Sequence, residues 1–243
     1  FCKTYDEQSP DDELAFYAAA NERHGVNGPL KVKNRLDRIF SDVKTNYSNI
    51  FQETETIKLK PLVLAYVVAQ LQLYSLLESD TDVKGRAYEE VVGSNLRGDR
   101  GQFFTPRNVC RMAVQMLDPG ERQLILDPAC GTGGFLIVAM NHVIEKIHEA
   151  ERNKGGTVER IEEASRRRIS KFAQNFIVGM DFDPELVKAS KMNMVMNNDG
   201  SGSLYQANSL QSPATWDDDL RALRLLGKVD LLITNPPFGS KIP

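Results

Sequence analysis

Residues 124–135 read Leu124-Ile125-Leu126-Asp127-Pro128-Ala129-Cys130-Gly131-Thr132-Gly133-Gly134-Phe135. Three apolar residues suited to a buried strand run into an acid, a proline and a glycine-rich turn. A second apolar run then begins at Phe135. A strand feeding a helix through glycines is the opening unit of a parallel sheet, and ligands of such sheets sit beyond the carboxyl ends of the strands. Glycines let the backbone turn tightly and let a ligand approach it closely. The turn lacks the GK[ST] ending of a P-loop and the full GxGxxG spacing of a dinucleotide fingerprint. Asp127 ahead of it is ill suited to pyrophosphate but suits a ligand with a cationic amine. A tight turn with no ligand is the plainer alternative.

Downstream, the texture alternates between helix and strand. Helical patterns cover residues 135–149 and 158–175, with ERNKGGT at 151–157 as a turn between them. A strand at 176–180 ends at Asp181, and Pro184 opens a helix to about residue 197. A weaker strand follows at 203–207, and a stronger one at 229–233. Short apolar strands separated by helices imply an α/β fold whose parallel sheet is covered on both faces. Each strand end then carries a candidate. Asp181 is placed to accept hydrogen bonds from ribose hydroxyls, whereas Asp183, just before Pro184, reads as a helix cap. Asn208 follows the third strand, and Asn235-Pro236-Pro237-Phe238 follows the fourth. The prolines end that strand, since they donate no ladder hydrogen bond.

Upstream the pattern is helical. Helices are expected over 11–21, over 30–47 with Val32, Leu36, Ile39, Phe40 and Val43 on one face, and over 61–77 as a buried helix opened by Pro61. Asp82 is placed to cap a further helix. The expected organisation is a helical region, 1–100, followed by a nucleotide-binding α/β region, 101–243.

Composition narrows the function classes. The net charge of −3 announces no basic nucleic-acid surface, so such contacts would come from local patches or another subunit. Arg97, Arg100, Arg107 and Arg111 form one patch, equally readable as solvated surface charge. Arg166-Arg167-Arg168, on a helix with Glu159, Glu162 and Glu163, reads as a salt-bridged exposed face. Three cysteines and three histidines are scattered, with no metal-ligand spacing, and no metal is expected. No apolar run reaches the roughly 20 residues of a membrane span. A cytoplasmic location is expected, with no membrane partner. The chain begins with Phe1 and has no signal peptide, which reads as a piece of something longer.

Four motifs in order, GQFFTP at 101–106, DPACGTGGF at 127–135, GMDFDP at 179–184 and NPPF at 235–238, resemble those of S-adenosylmethionine-dependent amino-methyltransferases. The chain is most similar to the adenine-N6 DNA methyltransferases, in particular the modification subunits of type I restriction-modification systems. The segment 84–89, KGRAYE, fits that family's helical approach. The resemblance implies a Rossmann-like methyltransferase sheet and S-adenosyl-L-methionine as cofactor. Asp127, Ala129 and the turn with Gly131, Thr132 and Gly133 resemble the part that holds its methionine portion, closed over by Gln102, Thr105 and Pro106. Asp181 resembles the ribose ligand, Phe182 the wall of the adenine pocket, and Asn208 stands where relatives carry Asp. Asn235 and the Pro236 carbonyl resemble the acceptors that activate a target amine, with Pro237 stiffening the backbone and Phe238 stacking on a flipped base.

The implied activity is methylation of adenine N6 in double-stranded DNA, alongside a specificity subunit and a restriction subunit. A protein-glutamine methyltransferase and a non-catalytic fragment are the alternatives. This methyltransferase fold has seven strands, and only four are legible before Pro243. The chain alone is therefore expected to be inactive and to hide an edge at 229–233, by forming a homo-oligomer or with its own tail or helical region.

Overall fold

The computed structural model describes residues 1–9, 14–76, 105–198 and 203–237. The chain divides into two compact units, Phe1–Lys84 and Gly85–Pro243.

The first unit is helical. It contains α1 (Cys2–Glu7), α2 (Asn27–Asn46) and α3 (Pro61–Leu71). Val32, Leu36, Ile39 and Val43 form the buried stripe of α2, while Phe40 is only half-buried at its margin. α3 packs against α2 through Leu64, Ala65, Val68 and Ala69. The expected buried helix over 61–77 is thus shorter, and it exposes Leu62, Val63 and Tyr66 on its other face. The helix expected over 11–21 is absent over residues 14–19. There the backbone is satisfied from outside: Asp6 accepts from Ala15 N and Phe16 N, Gln72 accepts from Ala18 N, and Arg35 donates to the Ala15 and Tyr17 carbonyls. An alanine-rich segment has no need of its own i→i−4 bonds when distant side chains supply partners. The helix expected after Asp82 lies outside the described residues.

The second unit is an α/β sheet. Four parallel strands, β1 (Ile125–Asp127), β2 (Ile177–Asp181), β3 (Ser203–Gln206) and β4 (Leu231–Leu232), lie in the order β3-β2-β1-β4. Four helices accompany them on one face: α4 (Arg107–Leu117), α5 (Gly134–Lys154), α6 (Val158–Asn175) and α7 (Pro184–Asn198). Strand residues alternate between faces. Ile125, Ile177, Leu204 and Ile233 join the core under these helices. Leu126, Val178 and Met180 face Leu220 of α8 (Asp218–Ala222) and Leu225. The connections after β1 and β3 therefore cross on opposite faces, which makes the β1/β4 gap the topological switch point where ligands of such sheets bind.

Three details depart from the periodicity. α5 runs to Lys154, through residues expected in a turn, and ends where Gly155 takes a positive φ of 73°. β4, expected as five strong residues, pairs over two. Its only partner among the described strands, β1, is itself three residues long, so hydrophobicity alone cannot lengthen the ladder. Of the alternating Met192, Met194 and Met196, only Met194 is fully buried, because a period of two cannot follow one helix face. No described helix is long and apolar enough to cross a membrane.

Candidate active site

The glycine turn is shaped from both ends. Gly133 adopts φ +82°, and a Cβ there would lie 2.6 Å from Ser190 Oγ on α7. Only glycine fits both demands. Gly131, at φ +54°, has open space where its Cβ would stand, so the turn is a cradle rather than a packed loop. The buried Asn193 amide of α7 donates to the Thr132 carbonyl (2.9 Å), fixing the turn from below.

Asp127 and Asp181 end neighbouring strands. The Asp127 side chain is almost fully buried and accepts from Ala129 N at 3.1 Å. Burial pushes its pKa up to about 6, and the Asp181 charge adds to the shift. Thr234 Oγ1 has no hydrogen bond of good geometry, yet lies close enough to pull that pKa partly down. Among the described residues no cation stands beside this buried carboxylate, which leaves it poised for one. Asp181 accepts from Gly131 N through Oδ2 and from Asp183 N through Oδ1, both at 2.9 Å. It therefore braces the turn against β2. Burial raises its pKa too, against those same hydrogen bonds. Asp183 caps α7 by accepting from Glu185 N (3.0 Å).

The remaining described candidates follow β2, β3 and β4 or directly precede α4. Phe182 is exposed. Asn208 spends its Oδ1 on an Asx turn to Leu210 N, and its carbonyl accepts from Trp216 Nε1. Past β4, the Asn235 Nδ2 donates to Thr105 Oγ1 at 3.0 Å, across 130 residues of sequence. Pro236 and Pro237 follow it, exposed. Pro106 precedes α4 as its N-cap. Gln102 and Phe238 lie outside the described residues, as do Arg97 and Arg100. Arg107 is half-buried and donates to the Gly134 carbonyl (3.4 Å), so it serves the turn rather than open solvent. Arg167 pairs with Glu163 on the α6 surface, while Arg168 reaches Glu121 and Glu151.

The Cys130 thiol is buried, and burial raises its pKa well above the ordinary range, which suits packing and not nucleophilic attack. Among the described residues no group of acidic, His and Cys side chains is arranged to hold a metal. A cavity of about 710 Å³, lined by Glu121, Arg122, Lys171 and Phe176 among others, lies at the opposite end of the sheet, by the amino ends of β1 and β2. Sequence reasoning missed Thr234, Ser190 and Asn193. Asn193 alone left a signal, as a polar residue between methionines on an apolar helix.

A family model described as N-6 DNA Methylase matches residues 79–242. Among curated proteins, the type II restriction enzyme and methyltransferase RM.BcgI of Heyndrickxia coagulans is 28% identical over 239 residues, 95% of this chain and 33% of that protein. The type I restriction enzyme StySPI methylase subunit of Salmonella potsdam is 27% identical over 215 residues, 86% of this chain and 38% of that protein. Among solved structures, a type I restriction enzyme modification subunit from Vibrio vulnificus YJ016 superposes with a TM-score of 0.55 at 26% identity, over 80% of this chain and 36% of that one. A component of a type I restriction-modification system gives 0.52 at 23% identity, over 83% and 37%, and shows the fold alone. The chain thus spans roughly a third of the length of these relatives.

Proposed function

This chain belongs to the N-6 DNA methylase family, and from that premise we propose that it carries the cofactor site and the amine-activating residue of an adenine-N6 DNA methyltransferase of a restriction-modification system. The observation that carries the reading is that Asn235 follows β4 at the switch point, while the Asp127 carboxylate and the glycine cradle follow the neighbouring strand β1.

The residues fit S-adenosylmethionine. A carboxylate with pKa about 6, an orphaned Thr234 hydroxyl beside it and an open turn match a ligand bearing an ammonium and a carboxylate. The Asp127 carboxylate would face the ammonium, and the Gly131–Gly133 backbone would lie along the methionine portion. Asp181 keeps lone pairs for ribose hydroxyls while bracing the turn, and Phe182 would cover the adenine. When bound, this cofactor supplies a methyl group on a sulfonium, whose bonding electrons remain with sulfur as the methyl leaves.

The adenine N6 lone pair is delocalised into the ring and is a weak nucleophile. An acceptor facing its N–H groups localises that pair on nitrogen, which forms the new N–C bond and then gives up one proton to solvent. Asn235 Oδ1 and the Pro236 carbonyl are the acceptors in this reading. The two prolines restrict the backbone that carries them, so little reorganisation accompanies the reaction. Phe238 would stack on the flipped base. Partners follow the same reading: double-stranded DNA, a specificity subunit and a restriction subunit.

The test uses the complete methyltransferase that contains these residues. Asn235→Ala should leave cofactor binding nearly intact and lower methyl transfer to DNA by about a hundredfold or more, the scale for a lost preorganised hydrogen-bonding group. A parental rate in that variant removes the proposed role.

A further inference from the structure

An amide side chain has two ends of nearly equal shape and opposite function. The oxygen accepts hydrogen bonds, and the nitrogen donates them. An amine target also donates. If Asn235 offered its nitrogen to such a target, donor would meet donor and the lone pair would not be localised. The amide therefore has to be held with its oxygen available. In the structure Asn235 Nδ2 is held by Thr105 Oγ1 at 3.0 Å, and this is the one hydrogen bond of that side chain among the described residues. One of its two N–H groups is thereby engaged, and Oδ1 makes no hydrogen bond among the described residues.

Thr105 is well placed to hold it. Asn235 sits on the loop past a two-residue edge strand, a weakly anchored element. Thr105 directly precedes Pro106, the N-cap of α4, whose carbonyl accepts from Val109 N and Cys110 N. Cys110 and Val114 then tie α4 into the core shared with α5 and the sheet. The partner next to the core-anchored helix thus holds the one on the loop.

We propose that Thr105 is a positioning residue for Asn235, holding the amide by its nitrogen so that its oxygen is left for the target amine. This rests on the reading of Asn235 as the amine-activating residue. It gives Thr105 a task separate from any contact with cofactor.

The test compares Thr105→Val, which keeps the shape and removes the hydroxyl, with Thr105→Ser, which keeps the hydroxyl. In the complete methyltransferase, single-turnover transfer of tritiated methyl to unmethylated DNA is measured together with the dissociation constant for S-adenosylmethionine. Thr105→Val is expected to slow transfer by about tenfold or more while cofactor affinity changes less than about twofold, a loss confined to the chemical step. Thr105→Ser is expected to recover most of the rate. In an Asn235→Ala background Thr105→Val should have no further effect, because the two act as one unit. In the 243-residue chain, Thr105→Val should shift the Asn235 side-chain amide resonances while leaving core resonances in place, which separates lost positioning from misfolding.

A parental rate in Thr105→Val, with Asn235→Ala inactive, overturns the inference and leaves the function standing. A loss of cofactor affinity that accounts for the whole loss of rate makes Thr105 a cofactor contact instead, and also overturns it. A parental rate in Asn235→Ala removes the function reading and the inference together.

Discussion

Asp127 carries a pH dependence whose sign follows from its burial. Its proton is held up to about pH 6 in the ligand-free chain. A cationic ligand favours the ionised form and lowers that pKa in the complex. Binding below pH 6 must then release a proton, so affinity for S-adenosylmethionine is expected to fall toward tenfold per unit as the pH drops from 6. Calorimetric titrations between pH 5 and 8 check this, and Asp127→Asn should flatten the profile. The same shift acts on folding. A carboxyl whose folded pKa is raised favours the folded state below its ordinary value near 3.8, and that contribution is lost as pH rises through about 6. The loss is roughly 3 kcal/mol at one unit per 1.36 kcal/mol. Asp181, raised by burial as well, acts in the same direction. Asp181 also has a structural task that a pure ribose ligand would lack. Asp181→Ala orphans the Gly131 and Asp183 N–H groups. It should cost about 1–3 kcal/mol in urea unfolding without any ligand. Unchanged stability would mean that the brace contributes nothing.

At the scale of elements, the turn between β1 and α5 separates stability from binding. Gly131→Ala meets no neighbour, so only its positive φ is penalised, at about 1–2 kcal/mol. Its new methyl would nevertheless stand in the cradle, so cofactor affinity should fall sharply while the melting temperature drops little. Gly133→Ala adds the Ser190 clash to the same backbone strain and should be the more destabilising of the two in thermal melts. Equal melting losses for both variants would show that α7 yields at Ser190. Much of this element was legible: the strand, the glycines and the terminal acid are local features with local causes. The grip of α7 on the turn through Ser190 and Asn193 was not, since a buried serine in a helical pattern looks like any small residue.

For the whole molecule the exposed feature is β4. It is the outer strand of the described sheet, and Leu232 is 60% exposed. Leu231 N and Ile233 N donate inward to the Leu124 and Leu126 carbonyls. In a parallel ladder the intervening Leu232 N–H points outward. Amide exchange should therefore be fast at Leu232 and slow at Ile233. Slow exchange at Leu232 would mean that a second copy, or a segment outside the described residues, pairs along this edge.

The sequence by itself determined the alternation of strand and helix, the acids that close β1 and β2, and the order of the motifs, because each depends on neighbours a few residues away. It also determined the Asp183 cap and the bounds of α6 at Val158–Asn175. Tertiary structure alone decided that β4 shrinks to two residues, that residues 14–19 stay out of helix under the side chains of Asp6, Gln72 and Arg35, and that Asp181 braces the turn. It alone joined Thr105 to Asn235. Each of these rests on a hydrogen bond between residues distant in the chain. Such bonds leave no period in the sequence, because either partner, taken alone, is an ordinary polar residue.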